Sequence, residues 1–499
     1  MQPPISAREE KKAGLTYWAN RVLEECDKAS RDFAPEPVHD LRVAIRRCRS
    51  MADGFHAIDP DPAWREMRKL AKSLFSSLGD LRDTQVMSEW IAKLSAPDDS
   101  VRPVLLHSLQ QKERDQKAAA QGALHDFHSQ RWSLLNAHLA KRTGRIRLES
   151  LVFQHLALER WNEAHQLHRR ALRNRSQVGY HQLRIGIKRF RYMVENFLPE
   201  RHEKWAKDLR DLQDTLGEVH DLDVLWAMIR SHPEIGLDDR SRWRRRLLEE
   251  REKRLSLYRR KMLGRGSLWY QWRKELPTGE RLHQAIRDRM KTWASFLDPD
   301  LGHATLVSRL ALQIYDGLAR QKVIRPSEED RRLLEVGAML HEVGRSKRER
   351  GHHKRTYSMI CKQGVPFGWE AEDLRAVAIV ARYHRGALSP SSNVVFTGVS
   401  ARRRSELLRL AGILRLANAF DFGHERTISR VGVERRDGLV VVSVPGLESI
   451  SPTAERFARA RYLLEATCRI PVVVRPATTA RKAKAVRHSA PRNNPASMT

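Results

Sequence analysis

Cysteine is scarce: the 499 residues hold four, Cys26, Cys48, Cys361 and Cys468, with no Cys-x-x-Cys and no close pair. That excludes a disulfide framework and a cysteine zinc site, and it points to a reducing compartment, the cytoplasm. Long apolar runs are missing as well. None approaches the roughly 20 residues that span a bilayer, and Met1 to Lys12 is polar, without an apolar signal core. Before residue 291 there is no glycine-rich phosphate loop and no alternation of strand and helix, which excludes a phosphate-cleaving site built on either. Acids are outnumbered: 61 Asp and Glu face 92 Lys and Arg, a formal net charge of +31. Such an excess calls for an anionic partner, whether nucleic acid, polyphosphate or an acidic membrane surface.

Helical periodicity is present in abundance, and one helical phrase occurs twice. The first copy is His39-Asp40-Leu41-Arg42-Val43-Ala44-Ile45-Arg46-Arg47-Cys48-Arg49. The second is His181-Gln182-Leu183-Arg184-Ile185-Gly186-Ile187-Lys188-Arg189-Phe190-Arg191. In each, cations follow the histidine at +3, +7, +8 and +10. At about 3.6 residues per turn, most of these fall on one stripe. A neighbouring stripe is apolar: Leu41, Ile45, Cys48, Ala52 and Phe55 in one copy, Leu183, Ile187, Phe190, Val194 and Phe197 in the other. Each helix therefore buries one edge and holds a row of cations beside it. A single basic stripe is ordinarily a solvated face. Two in the same phase, with few acids at i±4, favour a site for a linear polyanion.

The repeat extends further, to Leu78-Gly79-Asp80-Leu81-Arg82-Asp83 and Leu216-Gly217-Glu218-Val219-His220-Asp221. Each reads as a helix end with a glycine break, then an acid-bearing turn that opens a new helix. Further breaks are expected at Asp59 to Pro62, Ala96 to Asp99 and Ser231 to Pro233, and a long exposed helix over Arg240 to Lys261. The chain divides into a helical domain of two related halves over 10–275, a second helical domain over 291–425, a small α+β appendix over 426–475 and a disordered basic tail over 476–499. In the appendix, Ile428 to Val433 and Leu439 to Val444 flank an Asp437-Gly438 turn and predict a hairpin. A helix over Thr453 to Ala466 and a strand over Ile470 to Val474 follow. The fold class is mostly α.

The twin His-x-x-Arg-Val/Ile-x-x-Arg/Lys-Arg-x-Arg phrases, each followed by Leu-Gly-x-x-x-Asp, resemble the CHAD domain, the conserved-histidine α-helical domain. That resemblance implies duplicated four-helix bundles with inward basic helices around a groove, and binding of inorganic polyphosphate. The contacts it implies are His39, Arg42, Arg46, Arg47 and Arg49, with His181, Arg184, Lys188, Arg189 and Arg191. Guanidinium forks suit phosphate oxygens, and no base-reading element is present.

Residues 303–424 carry His303, Leu340-His341-Glu342-Val343-Gly344, His352-His353-Lys354, Arg382-Tyr383-His384-Arg385 and Asn418-Ala419-Phe420-Asp421. This succession resembles the C-terminal HD-type helical domain of the exopolyphosphatase and guanosine-pentaphosphate phosphohydrolase family. An intact HD site implies a divalent metal (Mn, Mg, Zn or Fe) that activates water against phosphate. Here the pattern is degenerate. Glu342 stands where the pair has Asp, and Asn418 where a later Asp is expected. The metal-ligand candidates are His303, His341, Glu342 and Asp421, with Asp421 three residues beyond the expected position. A basic surface over His352, His353, Lys354, Arg382, His384 and Arg385 is the other reading, and no catalytic residue is assigned.

The leading expectation is thus a non-enzymatic, cytoplasmic polyphosphate-binding protein that resides on polyphosphate granules. The alternatives are a metal-dependent phosphohydrolase acting on polyphosphate or a phosphorylated nucleotide, and a general, sequence-independent nucleic-acid binder.

Overall fold

The computed structural model describes residues 14–388, 394–447 and 451–477, without the side chains of 32 and 451–454. The chain forms two compact units: unit 1 is Met1–Phe296 with Val365–Glu370, and unit 2 is Leu297–Gly364 with Ala371–Thr499. Both are mostly α. Of the expected basic tail, residues 478–499 lie outside the described residues, as do residues 10–13 of the first expected domain. No described helix is long and apolar enough to cross a membrane.

Unit 1 runs through α1 (Leu15–Asp32), α2 (Pro35–His56), α3 (Ala63–Leu70), α4 (Lys72–Leu94), α5 (Val101–His125), α6 (Ser129–Thr143) and α7 (Leu151–Asn174). It continues with α8 (Gln177–Phe197), α9 (Pro199–Ser231), α10 (Leu237–Met262), α11 (Leu268–Glu275) and α12 (Gly279–Ser295). The repeated phrases lie on α2 and α8. Helix α2 starts with prolines in its first turn, where a missing N–H costs nothing. At the start of α8, Ser176 accepts a hydrogen bond from the Gly179 N–H at 3.0 Å. Every residue of the two apolar stripes is buried. Beneath them lies an aromatic floor: the Phe153 and Phe197 rings stack at 4.4 Å, and Phe55 meets Phe197 at 5.2 Å and Trp64 at 5.0 Å. Each such side chain contributes about 1.5–3 kcal/mol by leaving water. The two helices approach closely at Gly54, where a β-carbon would sit 2.3 Å from Phe197 Cε2.

The breaks at Asp59 to Pro62, Ala96 to Asp99 and Ser231 to Pro233 fall between helices, as the prolines require. In the first of them, buried Asp59 accepts from Trp64 Nε1 at 2.8 Å and from Arg142 at 2.5 and 2.6 Å. The glycine breaks differ from expectation. Gly79 lies inside α4 and Gly217 inside α9, and both helices run through without a turn. Glycine weakens a helix by only about 1 kcal/mol, which two long packed helices absorb. A β-carbon at Gly79 would lie 3.5 Å from Arg42 Nη1, an ordinary contact. The exposed helix expected over Arg240 to Lys261 is α10, and it buries one edge, including Trp243, Leu247, Leu255 and Tyr258.

Unit 2 contains α13 (Leu301–Arg320), α14 (Glu328–Leu340), a 3-10 turn (Val343–Ser346), α15 (His352–Cys361), α16 (Ala371–Arg382), α17 (Ala401–Ala419) and α18 (Ser451–Cys468). A sheet of order β1-β2-β3 accompanies them, formed by β1 (Gly432–Arg436), β2 (Leu439–Val444) and β3 (Val472–Pro476). β1 and β2 are antiparallel, with Arg436 opposite Leu439, and β3 is parallel to β2, with Val472 opposite Val440. The hairpin turns on Asp437 and Gly438, at φ 48° and 74°, the pair of positive values that a two-residue turn needs. The first strand begins at Gly432, so Ile428 to Val431 is not strand.

Candidate functional site

In unit 1, α2 and α8 turn their cations into one basic cleft. A cavity of about 680 Å³ is lined by Arg42, Arg46, Arg49, His181, Arg184, Lys188 and Arg189, with Arg68 and Arg160 added from α3 and α7. A smaller compartment, about 350 Å³, shares Arg42, Arg46, Arg184 and Lys188 and adds His39. Arg42, Arg46, Arg49, Arg184 and Lys188 enter no ion pair among the described residues. Aromatic rings lie under two of these guanidinium groups: that of Arg46 is 5.2 Å from the Tyr192 centroid, and that of Arg49 is 4.8 Å from that of Phe75. Arg42 Nη1 donates to the Leu78 carbonyl at 2.6 Å.

Two of the ten sequence-predicted contacts stand elsewhere. Arg47 pairs with Glu195, donates to Asn196 Oδ1 at 3.0 Å and packs over Trp18, and it does not line the cleft. Arg191 Nε lies 3.8 Å from the same Glu195. Arg47 thereby ties α2 to α8, whereas the Arg191 contact lies within α8. Arg189 lines the cavity but donates to Glu163 at 2.7 Å. Arg68 and Arg160, which lie outside the repeat, carried no signal in the sequence.

Crowding of like charge alters the titrating groups. Burial, together with Arg184, Arg46 and Arg42, pulls the Lys188 ammonium down to about 8. His181 Nδ1 faces His220 Nδ1 at 3.3 Å, and burial with Arg184 pulls His220 down to about 4. Burial pushes Asp221 up to about 6.

Unit 2 gathers its histidines. Asp300 caps α13 by accepting from the His303 N–H at 3.1 Å, which sets His303 in the first turn. His303 Nδ1 meets Asp421 Oδ2 at 2.7 Å, and its Nε2 lies 2.9 Å from Asn418 Oδ1. His341 Nε2 lies 3.2 Å from the same amide oxygen. Asp421 therefore stands behind His303, as an orienting carboxylate, while His303, His341 and Glu342 bring ligand atoms within 4.8 Å of one another. The chain passes from Glu342 to α15 through Gly344, where a β-carbon would lie 2.4 Å from the His352 carbonyl oxygen. Thr356 Oγ1 locks that turn, accepting from the Gly344 N–H and donating to the His341 carbonyl. The result is that His352 and His384 pack beside Glu342, both buried, at the place where the sequence suggested a basic surface.

The donor set fits a divalent cation. Burial pulls His341 down to about 4 and holds His384 well below its usual range, so the rings are neutral near neutral pH. Burial pushes Glu342 up, but His341 and Arg345 outweigh it and the carboxylate ends below its usual range. Asp298, which sequence reasoning missed, is buried and raised by burial to about 6, and its Oδ2 has no hydrogen-bond partner among the described residues. Neutral imidazoles with a carboxylate suit Mn, Fe or Zn.

Comparison with known proteins places these features. The crystal structure of the CHAD domain from the plant Ricinus communis is similar at 20% sequence identity and a TM-score of 0.34, over 54% of this chain and 89% of that one. Residues 15–230 match the family model of the CHAD domain. Residues 286–436 match that of the Ppx/GppA phosphatase, domain III. By these two matches the chain joins a region similar to the CHAD domain to one similar to the Ppx/GppA phosphatase, domain III.

Proposed function

We propose that the protein binds inorganic polyphosphate in the cleft of unit 1, and that it resides in the cytoplasm on polyphosphate granules. One observation carries this reading: Arg42, Arg46, Arg49, Arg184 and Lys188, from two copies of one phrase, line these cavities and enter no ion pair among the described residues, although Asp53, Asp214, Glu218 and Asp221 also stand in the walls. Fixed guanidinium groups at one-turn intervals, about 5–6 Å along each helix, let a flexible phosphate chain touch several at once. Titration with long-chain polyphosphate at two salt concentrations tests the reading. Binding is expected to weaken steeply with salt and to be lost in the Arg46→Ala/Arg184→Ala/Lys188→Ala variant; unchanged binding by that variant refutes it. Charge-matched DNA serves as competitor, and equal displacement would favour a general nucleic-acid binder. A fluorescently tagged chain that stays diffuse in granule-rich cells would refute granule residence.

A second reading concerns unit 2, and the convergence of His303, His341 and Glu342 favours it. These residues hold a divalent metal in a degenerate HD-type site, and the domain then acts as a metal-dependent phosphohydrolase or as a phosphate sensor. The metal would polarise a phosphoryl oxygen and activate water. His303 and His341 would direct their Nε2 atoms to it, with Asp421 orienting His303 from behind. Metal analysis together with a phosphate-release assay decides; absence of both metal and turnover removes this reading.

A further inference from the structure

Three imidazoles of unit 2 share one orientation. Nδ1 of His341, His352 and His384 faces the backbone carbonyl of Ala338, Glu349 and Ala381 at 2.7, 3.0 and 2.7 Å. A carbonyl only accepts, so in each neutral ring Nδ1 carries the proton and Nε2 the lone pair. His341 Nε2 lies 3.2 Å from Asn418 Oδ1, also an acceptor. The Nε2 atoms of His352 and His384 face each other instead, 3.1 Å apart and buried, and neither has an N–H to give the other. Two opposed lone pairs need something positive beside them.

A divalent cation resolves the contact. Ligands bound at about 2.0–2.1 Å stand roughly 2.9–3.4 Å apart for octahedral to tetrahedral angles, and the observed separation of 3.1 Å falls in that range. Glu342 Oε1 lies 3.9 Å from His352 Nε2, while its other oxygen is held by Arg345 at 2.6 Å. The ligand atoms of Glu342, His352 and His384 all lie within 4.8 Å of one another. His384 also lines a cavity of about 630 Å³ whose wall includes Arg385, Arg415, Arg456 and Arg459. Arg415 is engaged by the carbonyls of Tyr383 and Gly386, and Arg459 by Glu455. Arg456 lies 3.8 Å from the ring centroid of exposed Phe422, and Arg385 enters no ion pair among the described residues. These two cations are left to meet an anion.

We propose that Glu342, His352 and His384 form a second divalent-metal position, beside the one on His303 and His341, and that a phosphoryl oxygen of an anion in the arginine-walled cavity completes its coordination. This rests on the metal reading of unit 2, shares Glu342 with it, and is independent of the cleft in unit 1.

The test uses the full chain, stripped by chelation and reloaded with Mn(II) or Co(II). Wild type is expected to retain about two equivalents of metal, and His352→Gln and His303→Gln about half of that each. Inorganic pyrophosphate is expected to shift the visible Co(II) spectrum of wild type, but not that of His352→Gln or of Arg385→Ala/Arg456→Ala, the latter keeping its metal. Full metal content in folded His352→Gln overturns the proposal, as does a stripped wild type that takes up none. Loss in His303→Gln alone leaves only the first position; loss in His352→Gln alone sinks the first and keeps the second. Should His352→Gln not fold, the Co(II) titration of wild type decides: one spectral component that is indifferent to pyrophosphate overturns the proposal.

Discussion

Lys188 gives the cleft a pH dependence with a defined sign. The free cleft holds its ammonium at about 8, because it is mostly buried and has Arg184, Arg46 and Arg42 for neighbours. A bound polyphosphate supplies the missing negative charge and returns the group toward its ordinary value, about 10.4. The folded-state pKa is therefore low without ligand and higher with it. Affinity is complete below pH about 8 and declines as pH rises through that value, and binding near pH 8 takes up a proton. With about 2.5 units between the two states, affinity at pH about 9 should be roughly tenfold below that at pH about 7, about 1.4 kcal/mol. His220 and Asp221 titrate at about 4 and about 6 and add little over that interval. Isothermal titration in two buffers of different ionisation enthalpy reads the proton uptake directly. Lys188→Arg keeps the charge and should flatten the profile; Lys188→Met should flatten it at lower affinity. A wild-type profile that is flat between those pH values, or a Lys188→Arg profile as steep as wild type, refutes the reasoning.

Arg47→Ala strips Glu195 of its closest cation, so a stability loss of about 1–3 kcal/mol is expected, with polyphosphate affinity within about twofold of wild type. Thermal melting and titration together check it; a binding loss as large as that of Arg46→Ala would return Arg47 to the cleft. Asp59→Asn breaks the two-pronged contact with Arg142 and weakens the acceptor for Trp64, at a cost of about 3 kcal/mol in urea unfolding. An unchanged denaturation midpoint would show that the turn before α3 is held by other means. Gly54→Val forces α2 and α8 apart against Phe197, with an expected cost of about 1–3 kcal/mol and weakened polyphosphate binding, because both walls of the cleft move.

Much of this was legible in the sequence because periodicity reports on one helix at a time. The stripe from Leu41 to Phe55 and its partner from Leu183 to Phe197 named the buried edges, and the adjacent cations of α2 and α8 followed from phase alone. What phase cannot report is which neighbour a long side chain reaches. Arg47 and Arg191 share the motif with Arg46 and Lys188, yet Glu195 lies within reach of both, and only packing of α2 against α8 brings that carboxylate to Arg47. Arg68 and Arg160 join the cleft from α3 and α7, which are far apart in sequence. Gly79 and Gly217 suggested turns because glycine is common in turns, but its cost inside a long packed helix is small. In unit 2 the motif named His303, His341, Glu342 and Asp421. The burial of His352 and His384 beside Glu342 depends on the close approach at Gly344, a contact between Gly344 and the His352 backbone that no local pattern encodes.

On the proposed reading the two units would reach phosphate by different physics, and the difference lies in where their cations are neutralised. In unit 1 the wall of the cleft keeps unpaired guanidinium groups fixed on helices, so attraction exists before any ligand arrives and weakens with salt. Near the histidine cluster of unit 2, Arg345 is bound to Glu342 and Arg426 to Asp300, and the imidazoles are neutral. Little net positive charge stands at the floor of that cavity without a metal. An anion there would feel Arg385 and Arg456, each able to retreat into solvent, and Arg415, which backbone carbonyls hold in the wall. A divalent ion on the buried imidazoles changes this, because it places a compact charge in a low-dielectric floor where it attracts a phosphoryl oxygen at short range. Binding to unit 1 should therefore survive chelation and fail at high salt, whereas anion binding to unit 2 should fail on chelation and resist salt. Adding EDTA and, separately, raising salt should thus remove different fractions of bound pyrophosphate and long-chain polyphosphate from the same protein. If both treatments remove the same fraction of each ligand, the division of labour between fixed arginines and a buried metal is wrong.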